Sequence, residues 1–207
     1  MKNLFHLDAP IIQWVSKISW LLWFSCLWLI CCLPIVTIGA STAALYRMAF
    51  RLREEENYAT KAFFLAFRDN WKHGTGLWLV ILAAAVVLAL GYYGLLLVNS
   101  DLVRLILVAV FCGAFLLWGF LLLYSFPLTC YFENTFRNTL VNSFAFSIKH
   151  LRQTVLCFAL AVIPLVALIL SPYWFLRLLY VWVVFYPGLA AYWITGILKP
   201  VFEEYSK

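Results

Sequence analysis

Leu33-Pro34-Ile35-Val36-Thr37-Ile38-Gly39-Ala40-Ser41-Thr42-Ala43-Ala44-Leu45-Tyr46 closes the first long apolar run of this 207-residue chain. Arg47, Arg51 and Arg53 follow it directly, as expected where a helix leaves the lipid on a positively charged side. Pro34 and Gly39 each weaken or bend a helix, and backbone groups freed in this way need protein or water as partners inside a membrane. We therefore expect residues 34–44 to pack against the bundle or a partner and not to face lipid.

The composition is that of an integral membrane protein. Hydrophobic residues make up 66% of the chain and charged residues 12%, and the mean hydropathy is +0.94. Soluble domains carry about 25% charged residues. The net charge of +6 comes from basic residues beside apolar runs, where lipid headgroups are the nearest anions, so nucleic acid is not expected as a partner. No hydrophilic stretch is long enough for a second domain, and residues 1–207 are expected to form a single integral membrane domain.

Apolar runs long enough to cross the hydrocarbon predict an all-α, polytopic transmembrane bundle. The five predicted spans cover residues 18–39, 75–98, 103–130, 153–170 and 174–198. A short interfacial helix is expected ahead of them, at residues 11–18. A cleaved signal peptide is the competing interpretation of the first run, but that run is longer than a signal peptide's apolar region and continues into Arg47, which favours a retained helix.

Residues 47–73 are the most polar segment, and apolar residues recur within it at helical period. This pattern predicts an amphipathic helix over residues 58–72, in the headgroup layer or on a partner. Glu54, Glu55 and Glu56 are interpreted as a solvated run that offsets the arginines, or as a docking edge for a basic partner. The candidate partner-contact residues of this segment are Arg53, Glu54, Glu55, Phe63, Phe64, Phe67, Asn70 and Lys72.

Lysine and arginine counts predict the orientation. Eleven lie in residues 47–73, residues 131–152 and the C-terminal tail, whereas four (Lys2, Lys17, Arg104 and Arg177) fall on the other side of the five predicted spans. The positive side is normally cytoplasmic. The prediction is an external N-terminus and a cytoplasmic C-terminus.

The two halves of the chain resemble each other at an offset of 80 residues. Phe64 then aligns with Phe144, Asn70 with His150 and Lys72 with Arg152. Each half has a proline near the inner end of a span, a polar loop and a basic residue before the next span. This pattern suggests a parallel repeat of spans one and two with spans three and four, and predicts a pseudo-symmetric pair of cytoplasmic amphipathic helices.

Several short motifs carry a family resemblance. They are Pro34 to Ala40 with Ala44 to Tyr46, then Phe63, Phe64, Phe67, Asn70 and Lys72, then Phe132 to Thr135 with Asn138 and Thr139. Together they closely resemble the YesL-like bacterial integral membrane proteins, a family of unknown function. Seven residues form the structural motif that we take from this pattern: Pro34, Thr37, Gly39, Tyr46, Pro127, Glu133 and Asn134.

The resemblance implies a multi-pass protein of the bacterial cell membrane with an accessory role in oligosaccharide import. Members of the family are commonly found beside components of carbohydrate ABC importers, so permease or ATPase subunits are the implied partners, besides the lipid bilayer. The resemblance implies no catalytic residues, and no cofactor or metal is expected. His73 and His150 are interpreted as polar interface residues and not as a metal or acid–base pair.

Three functional hypotheses follow. The first is an accessory or regulatory importer subunit without catalysis of its own, since the chain has no phosphate-binding loop and no coupling loop of a permease. The second is a stand-alone transporter or channel for a small solute, with three proline-bearing helices around the path. Proton coupling is disfavoured because the span centres carry no ionisable residue. The third is a membrane sensor that acts on a regulator through Glu54 to Glu56.

Overall fold

The computed structural model describes residues 10–55, 59–132 and 135–205, and this part of the chain is helical, without a strand. The helices are α1 (Pro10–Cys31), α2 (Ile38–Glu54), α3 (Thr60–Asp69), α4 (Trp71–Leu96), α5 (Asp101–Tyr131), α6 (Phe136–Lys149), α7 (Leu151–Leu170), α8 (Pro172–Arg177), α9 (Leu179–Val184) and α10 (Tyr186–Tyr205). A single 3₁₀ turn, Ile35–Thr37, lies between α1 and α2. Glu133 and Asn134 of the sequence motif, together with Glu56 of the acidic run, lie outside the described residues.

Four of the described helices are long and apolar enough to cross a membrane: α1 from Trp14 onward, α4, α5 and α7. Helices α4, α5 and α7 correspond closely to the predicted spans at residues 75–98, 103–130 and 153–170. Pro127 and Pro164 lie inside α5 and α7, and neither proline ends its helix. The all-helical class is therefore confirmed, and these four helices could cross a membrane by their length and composition.

The fifth predicted span, residues 174–198, is not one helix. The chain there forms α8, α9 and the start of α10, with breaks at Leu178 and Phe185. Pro187 lies in the first turn of α10, a position that suits proline, while residues before a proline are disfavoured in a helix. Five continuous spans are therefore not confirmed.

The first predicted span, residues 18–39, has the wrong boundaries. Helix α1 already ends at Cys31, and residues 38–54 form the separate helix α2, which the sequence patterns did not predict. The Thr37 hydroxyl lies 2.6 Å from the carbonyl of Cys31 and 2.8 Å from that of Pro34, so it satisfies backbone groups freed by the turn. The interfacial helix expected at residues 11–18 is simply the first part of α1.

The expected packing of residues 34–44 against the bundle is confirmed from Gly39 onward and is not seen for residues 34–36. Residues 39–41, 43 and 44 are buried. Pro34, Ile35 and Val36 are exposed in the turn, together with Leu33, which is 81% exposed. The proline ends α1 and turns the chain outward, and the small residues after it enter the core.

Helices α1 and α2 form an antiparallel hairpin. At its open end the Lys17 amine lies 3.1 Å from a Glu55 carboxylate oxygen, and nearer the turn the Trp28 indole donates to Thr42 Oγ1 at 3.2 Å. Lys17 and the end of α2 therefore lie together. The sequence-based assignment of Lys17 and residues 47–73 to opposite membrane surfaces is wrong.

Helix α2 runs along one end of the bundle. Its first turn packs on α4, where a Cβ built on Gly39 would lie 2.1 Å from the carbonyl oxygen of Gly74. Its last turn pairs Glu54 with Lys199, shortly before the end of α10. Tyr205, which ends α10, lies 3.3 Å from His150 at the start of α7. We call this end, where α4 and α7 begin and α5 ends, the basic end.

Three buried clusters converge on α2, ten of whose seventeen residues are buried. The first cluster joins α2 to α1 and α3, the second joins α5, α7 and α10, and the third joins α4 and α5. Tyr46 packs against all three clusters. This motif residue therefore links the hairpin to the membrane-spanning helices.

The amphipathic helix predicted at residues 58–72 is confirmed as α3, which buries Phe63 and Ala66. A second helix, α6, lies in the other polar segment and buries hydroxyl side chains, those of Thr139, Ser143 and Ser147. Ser143 Oγ lies 3.3 Å from Ser125 Oγ of α5. Small hydroxyl side chains bond to the backbone of their own helix and let two helices approach closely.

The contact of Gly39 with Gly74 generates a first prediction. Gly39→Ala would place a methyl group against the α4 backbone and the Trp78 Cβ, 2.6 Å away, so the two helices would have to move apart. We expect a loss of about 1 to 3 kcal/mol of stability. The matched control is Gly94→Ala, where the added methyl group meets nothing within 4 Å, with an expected change below about 1 kcal/mol. Both variants are heated in detergent, and size exclusion measures the fraction that remains folded at each temperature. Equal unfolding midpoints for the two variants would contradict the packing argument.

Candidate functional site

A polar cleft of about 490 Å³ opens at the basic end between α2, α3 and the end of α5. Its polar lining consists of Arg47, Arg51, Asp69, Asn70, His73 and Thr129. We call it the α2–α3 cleft. Sequence analysis identified these arginines only as part of a basic segment, although their spacing of four residues places both on one face of α2.

Arg47 attaches α2 to the end of α5. Its guanidinium donates to the carbonyl of Cys130, which lies in the last turn of α5. The last four carbonyls of a helix have no intrahelical donor, and the helix dipole makes this end attractive to a cation. Arg47 therefore caps α5 and lines the cleft at the same time.

Arg53 attaches α2 to α10. Its Nε lies 3.0 Å from the Tyr192 carbonyl and 3.2 Å from Thr195 Oγ1, and its guanidinium carbon lies 3.9 Å above the centre of the Tyr192 ring. Gly196 makes room for the guanidinium, since a Cβ there would meet it. Burial lowers the pKa of Arg53, which the nearby Tyr192 partly offsets, but the ordinary arginine pKa is so high that the charge persists at neutral pH.

The acidic residues at the end of α2 pair within the chain. Glu54 lies 3.3 Å from the Lys199 amine, and Glu55 pairs with Lys17. Glu55 adopts a left-handed backbone conformation, with φ of 55°, which ends α2. Surface ion pairs contribute at most about 1 kcal/mol, so these contacts position the hairpin more than they stabilise it.

The predicted partner-contact residues of α3 lie on opposite faces of that helix. Phe63 is fully buried and its ring stacks on that of Phe24, with centroids 6.2 Å apart, so it is not available to a partner. Phe67 packs partly buried against the same cluster. Phe64, in contrast, is 48% exposed. Among the predicted contact residues in and next to α3, Phe64 and Lys72 are therefore accessible to a partner.

Asn70 and the two histidines have structural partners. The Asn70 amide donates to the Ala66 carbonyl at 2.9 Å, and Asn70 is the single residue between α3 and α4. His73 Nε2 lies 3.2 Å from Thr139 Oγ1, whereas His150 contacts Tyr205. Within the ranges that the structure describes, no three His, Cys, Asp or Glu side chains are placed to hold a metal ion.

A second cleft, of about 440 Å³, lies beside the end of α10 and has aromatic walls that include Phe132, Phe146 and Tyr205. The Lys149 amine lies 4.7 Å from the centre of the Tyr205 ring. A hydrogen bond with Tyr205 raises the pKa of Lys149. The sequence does not indicate this cleft, because its residues come from three separate segments.

The two arginines give the α2–α3 cleft groups that can bind an anion. Guanidinium groups are donors without acceptors and do not lose their proton at neutral pH, so they hold anions and do not transfer protons. Among the residues that the structure describes, Asp69 is the single carboxylate lining this cleft.

Comparison with known proteins identifies the first part of the chain. Residues 21–92 match the family model described as "Protein of unknown function, DUF624". YesL-like proteins are in this family, so the resemblance found in the sequence motifs is confirmed. The matched residues contain the second half of α1, all of α2 and α3, and the cleft residues Arg47, Arg51 and Asp69. No curated protein and no solved structure matches the chain.

Arg53 generates a second prediction. Arg53→Gln removes the charge and the planar donor group that join α2 to α10, and should cost about 1.5 to 3 kcal/mol of stability. Arg53→Lys should recover little of this loss, because an ammonium cannot reproduce the fork of donors. Arg152→Gln, at an exposed position of α7, removes the same charge as a control. The role of Arg53 would be refuted by equal unfolding midpoints for Arg53→Gln and Arg152→Gln in detergent.

Proposed function

We propose that this protein is an accessory or regulatory subunit of a bacterial carbohydrate ABC importer, without catalysis of its own. The observation that carries this proposal is an exposed aromatic and basic surface on a rigidly held helix. It consists of Phe64, Leu65 and Arg68 of α3 together with Lys72 in the first turn of α4, and we call it the α3 face. The confirmed family resemblance supports the importer as the assembly to which the surface would bind.

The α3 face is presented by a helix with little freedom to move. The Phe63 ring is in the core, and the Trp23 indole donates to Thr60 Oγ1 at 2.9 Å at the start of the helix. Phe64 and Leu65 nevertheless remain 48% and 42% exposed. Aromatic residues and arginine are enriched at protein–protein interfaces, and a preordered helix loses little entropy on binding.

The proposed topology places the α3 face in the cytoplasm. Lysine and arginine cluster at the basic end. Because Lys17 also lies at that end, beside Glu55, the excess of basic residues there is larger than the sequence count predicted. The start of α1 then lies on the cytoplasmic side, because Lys17 is beside Glu55. This replaces the external N-terminus expected from the sequence, while the cytoplasmic C-terminus is retained.

The remaining helices complete this topology. Helix α7 ends at Leu170 on the far side, yet Tyr205 lies beside His150 at the start of α7. The chain from α8 to α10 must therefore return, and we infer that it is a broken crossing. We infer that the hairpin of α1 and α2 lies at the basic end, with its exposed apolar turn at residues 33–36 in contact with lipid.

The parallel repeat is part of the same proposal. Asn70 joins α3 to α4, and His150 joins α6 to α7 in the same way, at the offset of 80 residues. Each pair is an amphipathic helix followed by a membrane-spanning helix. This local agreement supports a pseudo-symmetric pair of cytoplasmic helices, α3 and α6.

The alternative functions have less support. A channel needs space between the proline-bearing helices, but Tyr124, Leu128, Leu198 and Phe202 are buried together where α5 meets α10. A sensor acting through the acidic run needs free carboxylates, but Glu54 and Glu55 are paired with Lys199 and Lys17. The accessory role uses the surface that these contacts leave exposed.

Terminal fusions test the topology. A fluorescent protein that folds only in the cytoplasm should be bright at either end of the chain, because the basic end holds both the start of α1 and the end of α10. Protease added to intact spheroplasts should leave both fusions uncut. A dark or externally cleaved N-terminal fusion would restore the external N-terminus and sink the hairpin proposal.

Affinity purification tests the accessory role. The tagged protein, extracted in mild detergent from cells grown on an inducing oligosaccharide, should bring down permease and ATPase subunits of a sugar importer. Phe64→Ala should reduce their recovery roughly ten-fold, as expected when an aromatic interface anchor is truncated. Phe115→Ala is the matched control, since Phe115 is 45% exposed on the membrane-spanning helix α5.

The same preparations distinguish the alternatives. Recovery of the protein without any importer subunit, or equal recovery with both variants, contradicts the proposed function. Sugar flux into liposomes that contain this protein alone would favour the stand-alone transporter. We expect no flux above that of empty liposomes.

A further inference from the structure

We propose that the α3 face binds an acidic amphipathic helix of its protein partner, in which carboxylates lie on both sides of an apolar centre. The inference rests on the proposed function in one respect, since it takes the α3 face as the surface that contacts a protein. It adds the chemistry that the partner must have.

The exposed side of α3 is basic towards both ends and apolar at its centre. Lys61 and Arg68 are both exposed and lie seven residues apart, which is about two helical turns. Phe64 and Leu65 lie between them on the same side of the helix, at the spacing of three and four residues that places side chains together. Asp69, the other charged residue of α3, lines the α2–α3 cleft.

The positive charges on this side have no counterpart in the described part of the chain. None of the three exposed cations, Lys61, Arg68 and Lys72, forms an ion pair with a described residue. The acidic residues at the end of α2, Glu54 and Glu55, pair with lysines of α10 and α1 instead. A partner with carboxylates would therefore meet unpaired cations, and complementary charge speeds association and selects the partner.

Comparison with α6 favours a protein over an anionic leaflet as the occupant. At the offset of 80 residues, Lys61 aligns with Val141 and Arg68 with Ile148, which are 58% and 60% exposed on α6. An interfacial helix places a broad apolar side in the lipid. The outward side of α6 suits that position, whereas the broad apolar side of α3, with Phe63, is buried in the core. The outward side of α3 has cations at the two aligned positions, which suits an acidic protein surface.

The spacing on α3 specifies the sequence pattern of the partner helix. A helix that packs along α3 with an apolar residue against Phe64 and Leu65 places residues three or four positions to either side opposite Lys61 and Arg68. We expect these two positions to be Asp or Glu. The partner helix should thus have two acidic residues about seven positions apart, with an apolar residue midway between them.

Photo-cross-linking of the full-length protein in intact cells tests this inference. With p-benzoylphenylalanine at position 65, cells grown on an inducing oligosaccharide should yield a cross-link to an importer subunit, within a helix of this acidic pattern. Mass spectrometry of the cross-linked peptide locates the helix. Arg68→Glu should reduce the product roughly ten-fold, since a contact of opposite charge contributes up to about five-fold in affinity and the reversal adds a repulsion. Changing one carboxylate of the partner helix to lysine should restore the product.

Matched controls separate this contact from folding and from general surface charge. Arg152→Glu reverses an exposed charge at the position that aligns with Lys72, and should leave the amount of product unchanged. Restoration by the exchanged partner charge shows that Arg68→Glu is folded. Equal losses with Arg68→Glu and Arg152→Glu, or no restoration by the exchanged charge, would overturn the inference.

Salt provides a second measurement. Raising the salt concentration of the detergent extract from about 0.1 M to about 1 M shortens the screening length from about 10 Å to about 3 Å. The amount of partner recovered with the tagged protein should therefore fall. Recovery that is unchanged by salt would contradict a contact between opposite charges.

The cross-linked product also distinguishes this inference from the proposed function. A product with an importer subunit at a segment without acidic residues would overturn the acidic helix and leave the accessory role intact. A product at an acidic helix of another protein, restored by the same charge exchange, would support the charge argument and contradict the importer as partner. Phospholipid adducts alone would overturn a protein as the occupant of the α3 face.

Discussion

The structure depends on packing a helix with three arginines, α2, against the other helices at the basic end of the bundle. Desolvated charge is costly unless it is paired and hydrogen-bonded. Arg47 and Arg53 meet this constraint by donating to backbone carbonyls of α5 and α10. Since carbonyl oxygens are partly negative but carry no formal charge, the arginines join the helices and remain positively charged. The same contacts therefore hold the fold together and give the basic end its charge.

The packing of α2 also requires that helix backbones approach each other closely. Gly39 and Gly74 bring α2 against α4, and Gly196 accommodates the Arg53 guanidinium. The hydrophobic effect gives helices little reason to associate within lipid, so close van der Waals contact and hydrogen bonds have to supply the stabilisation. Tyr46, which contacts all three buried clusters, then connects the hairpin to α4, α5, α7 and α10. This rigid connection is what allows α3 to present one face to the core and the other to the surroundings.

Long apolar runs and the periodicity of α3 were predictable, because lipid crossing and one-sided burial each leave a pattern in consecutive residues. The boundaries of α4, α5 and α7 agree closely with the sequence prediction for this reason. Helix α2 was missed although Leu45, Met48, Ala49 and Leu52 follow a helical spacing. Its arginines resembled a solvated loop, and nothing in the local sequence indicates that Arg47 and Arg53 donate to carbonyls more than 80 residues away. The break of the last span at Leu178 was missed as well.

The sequence by itself determined the all-helical class of this protein, its apolar helices long enough to cross a membrane, the amphipathic helix after the first apolar run, and the motifs that resemble YesL-like proteins. These properties depend on composition and short-range periodicity, and both can be recognised within a short stretch of consecutive residues. The tertiary structure alone decided that the first apolar run turns back at Pro34, that Lys17 meets Glu55, and that the arginines form a cleft with Asp69. These outcomes depend on which distant acceptor or small residue lies opposite each side chain. Only the packed arrangement of the helices specifies that pairing.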